Sequence, residues 1–128
     1  MTRTTIFSLI ALSACDVEPT EVDCKKTKSA ITGVVTSQLP AMPISADLDV
    51  QGSATDENQF VIHRILVGGL AASNGGFNFD TWSIHLPIQT LSSLAREADG
   101  TTKVHVLAFD VCDRDTEIAT FSVTIGMP

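Results

Sequence analysis

Near the C-terminus, the eight residues "DVCDRDTE" hold four acids: Asp110, Asp113, Asp115 and Glu117. Calcium takes about six to eight oxygen ligands, mostly carboxylate and carbonyl, and alternating acids on a loop can supply them. Asp56 and Glu57 could approach from a second loop. The spacing is not that of an EF-hand, because it has neither the glycine turn nor the terminal bidentate glutamate. The competing reading is a solvated acidic loop in which Asp110 bonds to backbone. Three histidines raise a second metal question. Strand parity turns His85 and His105 outward; His63 sits in a more ambiguous strand, open to an inward position, and would approach His105 only if their strands are neighbours. The plainer reading is two solvated histidines and one satisfied core histidine. A blue-copper site needs a histidine and a methionine closely following its cysteine, and no histidine follows Cys112. No Gly-x-Ser-x-Gly elbow, His-Glu-x-x-His helix or phosphate loop is present. Sugar binding wants a row of exposed aromatics, whereas Trp82 has inward parity and only Phe77 and Phe79 lie near it. These residues point away from catalysis.

Cysteine chemistry begins at the other end. Residues 1–14, "MTRTTIFSLIALSA", run from one base, Arg3, through an apolar stretch to the small pair Ser13 and Ala14. That order is the order of an export signal. An ordinary secretory cut after Ala14 fits badly, because it would leave Leu12 three places back. The stretch Leu12-Ser13-Ala14-Cys15 instead resembles the lipobox of bacterial lipoproteins. The resemblance implies cleavage before Cys15, acylation of its thiol and amine, and a stable anchor, since more than one chain is needed to hold a protein at a membrane. It places the protein in the cell envelope, at either the inner or the outer membrane. The alternative is a buried first strand with Cys15 a core thiol. Cys24 and Cys112 then remain, an even number in an exported protein, for which a disulfide is the default. Such a bridge would contribute up to about 4.5 kcal/mol by loop-closure entropy. Two free thiols are the alternative. No Cys-x-x-Cys pair exists, which argues against a thioredoxin-like site or a zinc ribbon.

The elements that must position these groups fit one domain, since the chain has 128 residues. The net charge of −7 would repel phosphate backbones, so nucleic acid is not an expected partner. Residues 15–29, "CDVEPTEVDCKKTKS", are polar and read as a flexible tether, pinned at its middle by Cys24. The folded body is residues 30–128, with eleven acids against four bases.

That body reads as strands. "ISADLDVQGSATD" alternates Ile44, Ala46, Leu48 and Val50 against polar residues, a period of two with one buried face. "FVIHRILVGG" is more continuously apolar, like a central strand, and ends in a Gly-Gly turn. "TWSIHLPIQ" sets Trp82, Ile84, Leu86 and Ile88 on one face, with Pro87 suggesting an edge. "KVHVLAFDVC" buries Val104, Val106 and Ala108. "IATFSVTI" buries Ala119, Phe121, Val123 and Ile125. "TLSSLAREAD" carries a hint of one or two helical turns. About seven short strands in 99 residues is the pattern of an antiparallel β-sandwich. The residues also resemble the bacterial immunoglobulin-like domains of surface and secreted proteins. The likeness rests on a Gly-x-Ala-x-Asp stretch (Gly52, Ala54, Asp56) and on Gly100 leading into a strand that ends Ala-x-Asp (Ala108, Asp110). The chain departs from that pattern after Asp110, where those domains commonly have a Gly-Asn turn.

The expectation is an all-β, immunoglobulin-like sandwich behind a cleaved signal peptide and a short tether. Its expected role is structural or protein-binding, without catalysis, with the membrane and another envelope protein as partners. The alternative is a calcium- or small-ligand-binding receptor domain using the loop 110–117. No other cofactor is expected.

Overall fold

The computed structural model describes residues 20–75 and 78–126. The proposed signal peptide, Cys15 and Phe77 lie outside them. Two four-stranded antiparallel sheets pack face to face. One has the order β1-β2-β6-β5 and the other β4-β3-β7-β8. The strands are β1 (Ile31–Val35), β2 (Leu48–Asp56), β3 (Ile62–Val67), β4 (Leu70–Ala71), β5 (Ser73–Asn74), β6 (Thr81–Leu86), β7 (Thr102–Asp110) and β8 (Asp115–Val123). This is the immunoglobulin-like arrangement, in which the first, second, sixth and fifth strands make one sheet. Two one-and-a-half-turn helices lie at the ends, α1 (Glu21–Lys26) and α2 (Ile88–Ser93).

Period-two patterning sets which side chains meet. Val50 and Ala54 from β2 and Trp82, Ile84 and Leu86 from β6 face Ile62, Ile65 and Val67 from β3, with Val104, Val106 and Ala108 from β7 and Phe121 and Val123 from β8. Trp82 sits directly across from Gly52. A Cβ at position 52 would come 2.1 Å from the indole Cζ2 and 2.5 Å from the Val34 carbonyl oxygen. The absent side chain is therefore the space the indole occupies, the close approach that glycine in a strand permits. The Gly68-Gly69 turn expected from the sequence joins β3 to β4 with Val67 paired to Leu70. Both glycines have positive φ, +59° and +90°, which a two-residue hairpin turn of this kind demands.

Several local expectations change. Ala46 is exposed and β2 begins at Leu48, because Ile44 leaves the strand and forms a parallel bridge to Ile125 instead. Pro87 ends β6 and starts α2, whose Leu91 plugs the core, so Ile88 belongs to the helix rather than to the strand face. Ala119 and Ile125 are half-buried, not core. Residues 20–29 of the expected flexible tether are built against the domain. Thr20 and Asp23 cap α1 reciprocally, side chain to backbone in both directions, which satisfies two otherwise unpaired donors.

The last strand is protected along its outer side, as an exposed strand edge must be to avoid pairing with other chains. Ser29 and Thr116 share a hydroxyl hydrogen bond of 2.5 Å, and Ile118 packs where Gly33 of β1 has no side chain. Further on, the Ile44 N–H donates to the Thr124 carbonyl and the Gly126 N–H donates to the Ile44 carbonyl.

Candidate functional site

Both motifs that carried the resemblance end at the same end of the sandwich, and they end in the same way. Gly52, Ala54 and Asp56 are successive inward positions of β2, and Ala108 and Asp110 are inward positions of β7. Each strand closes on an aspartate that accepts a backbone N–H two residues on. Asp56 Oδ1 takes the Asn58 N–H at 2.8 Å and Asp110 Oδ1 takes the Cys112 N–H at 2.9 Å. These are side-chain-capped turns, the local bonding that makes aspartate a turn former.

Asp110 is wholly buried and its charge is met by Arg114. The guanidinium donates from Nε at 3.0 Å and from Nη2 at 2.9 Å to Asp110 Oδ2, while the Arg114 backbone N–H donates to Oδ1 at 3.0 Å. The same guanidinium then reaches the N-terminal arm, donating from Nη1 to the carbonyls of Cys24 and Thr27 and from Nη2 to the Thr27 hydroxyl. Cys24 is bridged to Cys112 with a Cα separation of 5.8 Å, inside the range a disulfide spans without backbone movement. The arm is thus held twice at one place, covalently and through a buried ion pair.

The acidic loop forms no oxygen cage. Asp110 is consumed by Arg114 and two backbone N–H groups. Asp113 and Asp115 are exposed, and Asp113 takes a left-handed conformation (φ +62°) within the four-residue loop between β7 and β8. Glu117 turns to the outer sheet face, accepting from the Thr120 hydroxyl at 2.6 Å and bonding His105 Nδ1 at 2.8 Å. The Thr120 hydroxyl and, behind it, His105 lower the Glu117 pKa. The four acids expected to share a calcium ion therefore separate. Among the described residues, no three His, Cys, Asp or Glu side chains converge as a metal would need. Asp56 does lie near this node, but as a buried carboxyl whose Oδ2 has no partner among the described residues. Burial pushes its pKa up; Asp110 adds to that and Arg114 opposes it.

The histidines do not meet. His63 is exposed rather than inward, because a bulge between Ile62 and Arg64 shifts the register and carries it outward. His85 and His105 are exposed as expected. His85 sits between two carboxylates, with Nδ1 2.7 Å from Asp49 and Nε2 2.8 Å from Asp47. Asp47 also accepts the Ile88 N–H at 2.8 Å. Hydrogen bonds to Asp49 and then Asp47 raise the His85 pKa, favouring a ring with both nitrogens protonated. This clasp ties the segment before β2 to β6 and α2. Sequence parity located its residues, but Asp47 lies before the strand and only the fold brings it to the ring.

Among the described residues, hollows mark the outer faces of both sheets. Two adjoin on the outer face of β1-β2-β6-β5, with volumes of about 340 and 400 Å³, and share Gln51 and Ser83. Another, about 310 Å³, lies on the outer face of the other sheet among Leu66, Leu94 and Leu107, with Lys103 and His105 at its rim. That face also carries Arg64, whose guanidinium stacks 4.2 Å from the centre of the Phe109 ring. Trp82 is 1% exposed, so no aromatic platform for a sugar forms from it.

No protein-family description matches the chain. No curated protein matches it either. Among solved structures it is similar to the fibronectin(III)-like modules of CbhA from Clostridium thermocellum, at 15% identity and a TM-score of 0.46. The match covers 77% of this chain and 48% of the other, so this chain spans about half the length of that one.

Proposed function

We propose that the chain is a lipid-anchored immunoglobulin-like module of a bacterial cell envelope, with a structural or protein-binding role and no catalysis. The observation that carries the reading is the Cys24–Cys112 bridge. Disulfides persist in oxidising compartments and are rare in the cytosol. The bridge uses two of three cysteines and leaves Cys15, the one at the lipobox, for acylation. Nine residue steps lead from Cys15 to Cys24, and they can span at most about 30 Å. An anchor at Cys15 would therefore hold the disulfide end of the sandwich toward the membrane. The Gly68-Gly69 turn, α2 and the segment 36–47 would face away.

The non-catalytic part is supported by what the reactive side chains are engaged in. Two cysteines are bridged, both ring nitrogens of His85 are bonded to carboxylates, and the buried Asp110 is held by Arg114. Intact-mass analysis of membrane-extracted protein tests the anchoring. It should show loss of residues 1–14 and added acyl mass on Cys15, and Cys15→Ser should release the protein from the membrane. A soluble mature chain that begins elsewhere would overturn the proposal.

A further inference from the structure

We infer that the outer face of β4-β3-β7-β8 is an interface for a second copy of this chain, related by a two-fold axis running along β7. Cross-strand register fixes what the face presents. Phe109 lies between Arg64 on β3 and Asp115 on β8, and Leu107 lies between Leu66 and Glu117. One side of β7 is therefore basic and apolar, and the other side is acidic. Rotation about an axis along β7 lays the β3 side of one copy on the β8 side of the other. Arg64 then faces Asp115 of the second copy, twice, and Phe109 and Leu107 meet their own counterparts at the centre. A two-fold contact requires such self-complementarity of one patch, and it is the commonest symmetry of soluble oligomers. Lys103, which would face its own copy, lies within electrostatic reach of Asp99 and Glu117 on its own chain.

The same axis matches a knob to a hole. Met42 is 74% exposed, well above the other large exposed side chains, Val22 and Val34. It lies two residues before Ile44, which is bonded beside the end of β8. The apolar hollow of Leu66, Leu94 and Leu107 lies at that same end of the sheet, on the β3 side. The rotation that pairs Arg64 with Asp115 carries Met42 of each copy toward the hollow of the other. Methionine adapts its shape to such hollows. A chain with net charge −7 tends to repel its own copies, whereas this face sets two bases, Arg64 and Lys103, against two acids, Asp115 and Glu117. The inference needs only the fold and holds whether or not Cys15 is acylated.

Sedimentation equilibrium of the full chain in non-ionic detergent tests it, over a concentration range from micromolar to near-millimolar. The wild type should go from monomer to dimer and no further. Arg64→Glu, Asp115→Arg and Met42→Asp should each weaken the dimer by more than about tenfold, since the first two set like charges opposite one another. Mixing Arg64→Glu with Asp115→Arg should restore association, because each then supplies the sign the other lacks. Circular dichroism checks that each variant is folded, and Met42→Asp, on an exposed segment, leaves the core alone. A wild type that stays monomeric, dimers indifferent to these changes, failure of the mixed pair, or binding of a separate acidic protein to the face of a monomer would each overturn the inference.

Discussion

Arg114→Ala is the sharpest perturbation of the node that holds the N-terminal arm. The substitution removes two charge-assisted hydrogen bonds from Asp110 Oδ2, on a carboxylate with no exposure at all. It also removes donors from the carbonyls of Cys24 and Thr27. Breaking a buried pair by deleting one partner costs about 3–5 kcal/mol, because the remaining charge is buried and uncompensated. Two features place the expected loss at the low end of that range, near about 3 kcal/mol. Asp110 Oδ1 keeps its two backbone N–H donors, since both survive the loss of the side chain. The Arg114 side chain is also 25% exposed, so water can reach part of the space it leaves. Urea unfolding followed by Trp82 fluorescence measures the change, and an unaltered slope would confirm that the unfolded state is unaffected. The double variant Arg114→Ala with Asp110→Asn should recover part of the loss, because it leaves no stranded charge. A loss below about 1 kcal/mol, the size of a surface pair, would refute the reasoning.

Three further outcomes follow from the geometry. Replacing both Cys24 and Cys112 with serine should lower stability by about 2–4 kcal/mol, less than the loop-closure limit because Arg114 still grips α1; non-reducing peptide mapping of the wild type should recover the linked peptides. Gly52→Ala should cost about 3 kcal/mol or more, read as a lower urea midpoint, since neither the indole nor the Val34 carbonyl can easily move. The His85 clasp should be pH-dependent in a stated direction. Its pKa in the fold is above the ordinary 6.5, so its contribution is fully present below that value and is lost as pH rises through the raised pKa. Asp47 is held below its ordinary value by the Ile88 N–H and by His85, so the clasp also weakens in acid as that carboxylate protonates. The melting temperature of the wild type minus that of His85→Asn should therefore shrink as pH rises from the ordinary 6.5 through the raised pKa; a difference that stays constant would show the clasp to be inert.

The core was legible in the sequence because a two-residue period leaves little freedom: Val104, Val106 and Ala108 point inward in any register that buries one face of β7. His63 is not decided by parity, because a bulge between Ile62 and Arg64, seen only in the pairing of β3 with β7, breaks that period locally. Ala46 was misplaced for a related reason. The alternation "ISADLDV" continues through it, but Ile44 is recruited by the end of β8, a contact made across 81 residues of chain. The acidic run shows the same limit at the site. Its composition left a shared cation open beside a solvated loop, and the fold sends the acids to different places: Asp110 to Arg114, Asp113 to a turn, Asp115 to solvent and Glu117 to the outer sheet face. Arg114 stands among those acids in "DVCDRDTE" and could have signalled that at least one was already neutralised. What the sequence could not give was the destination of the remaining guanidinium donors. They turn back to the carbonyls of Cys24 and Thr27, so the bridge and the ion pair act on one stretch of chain. The disulfide end of the domain is thereby fastened twice, and tension on an anchored N-terminus would be borne by the Cys24 bridge before any β-sheet hydrogen bond is loaded.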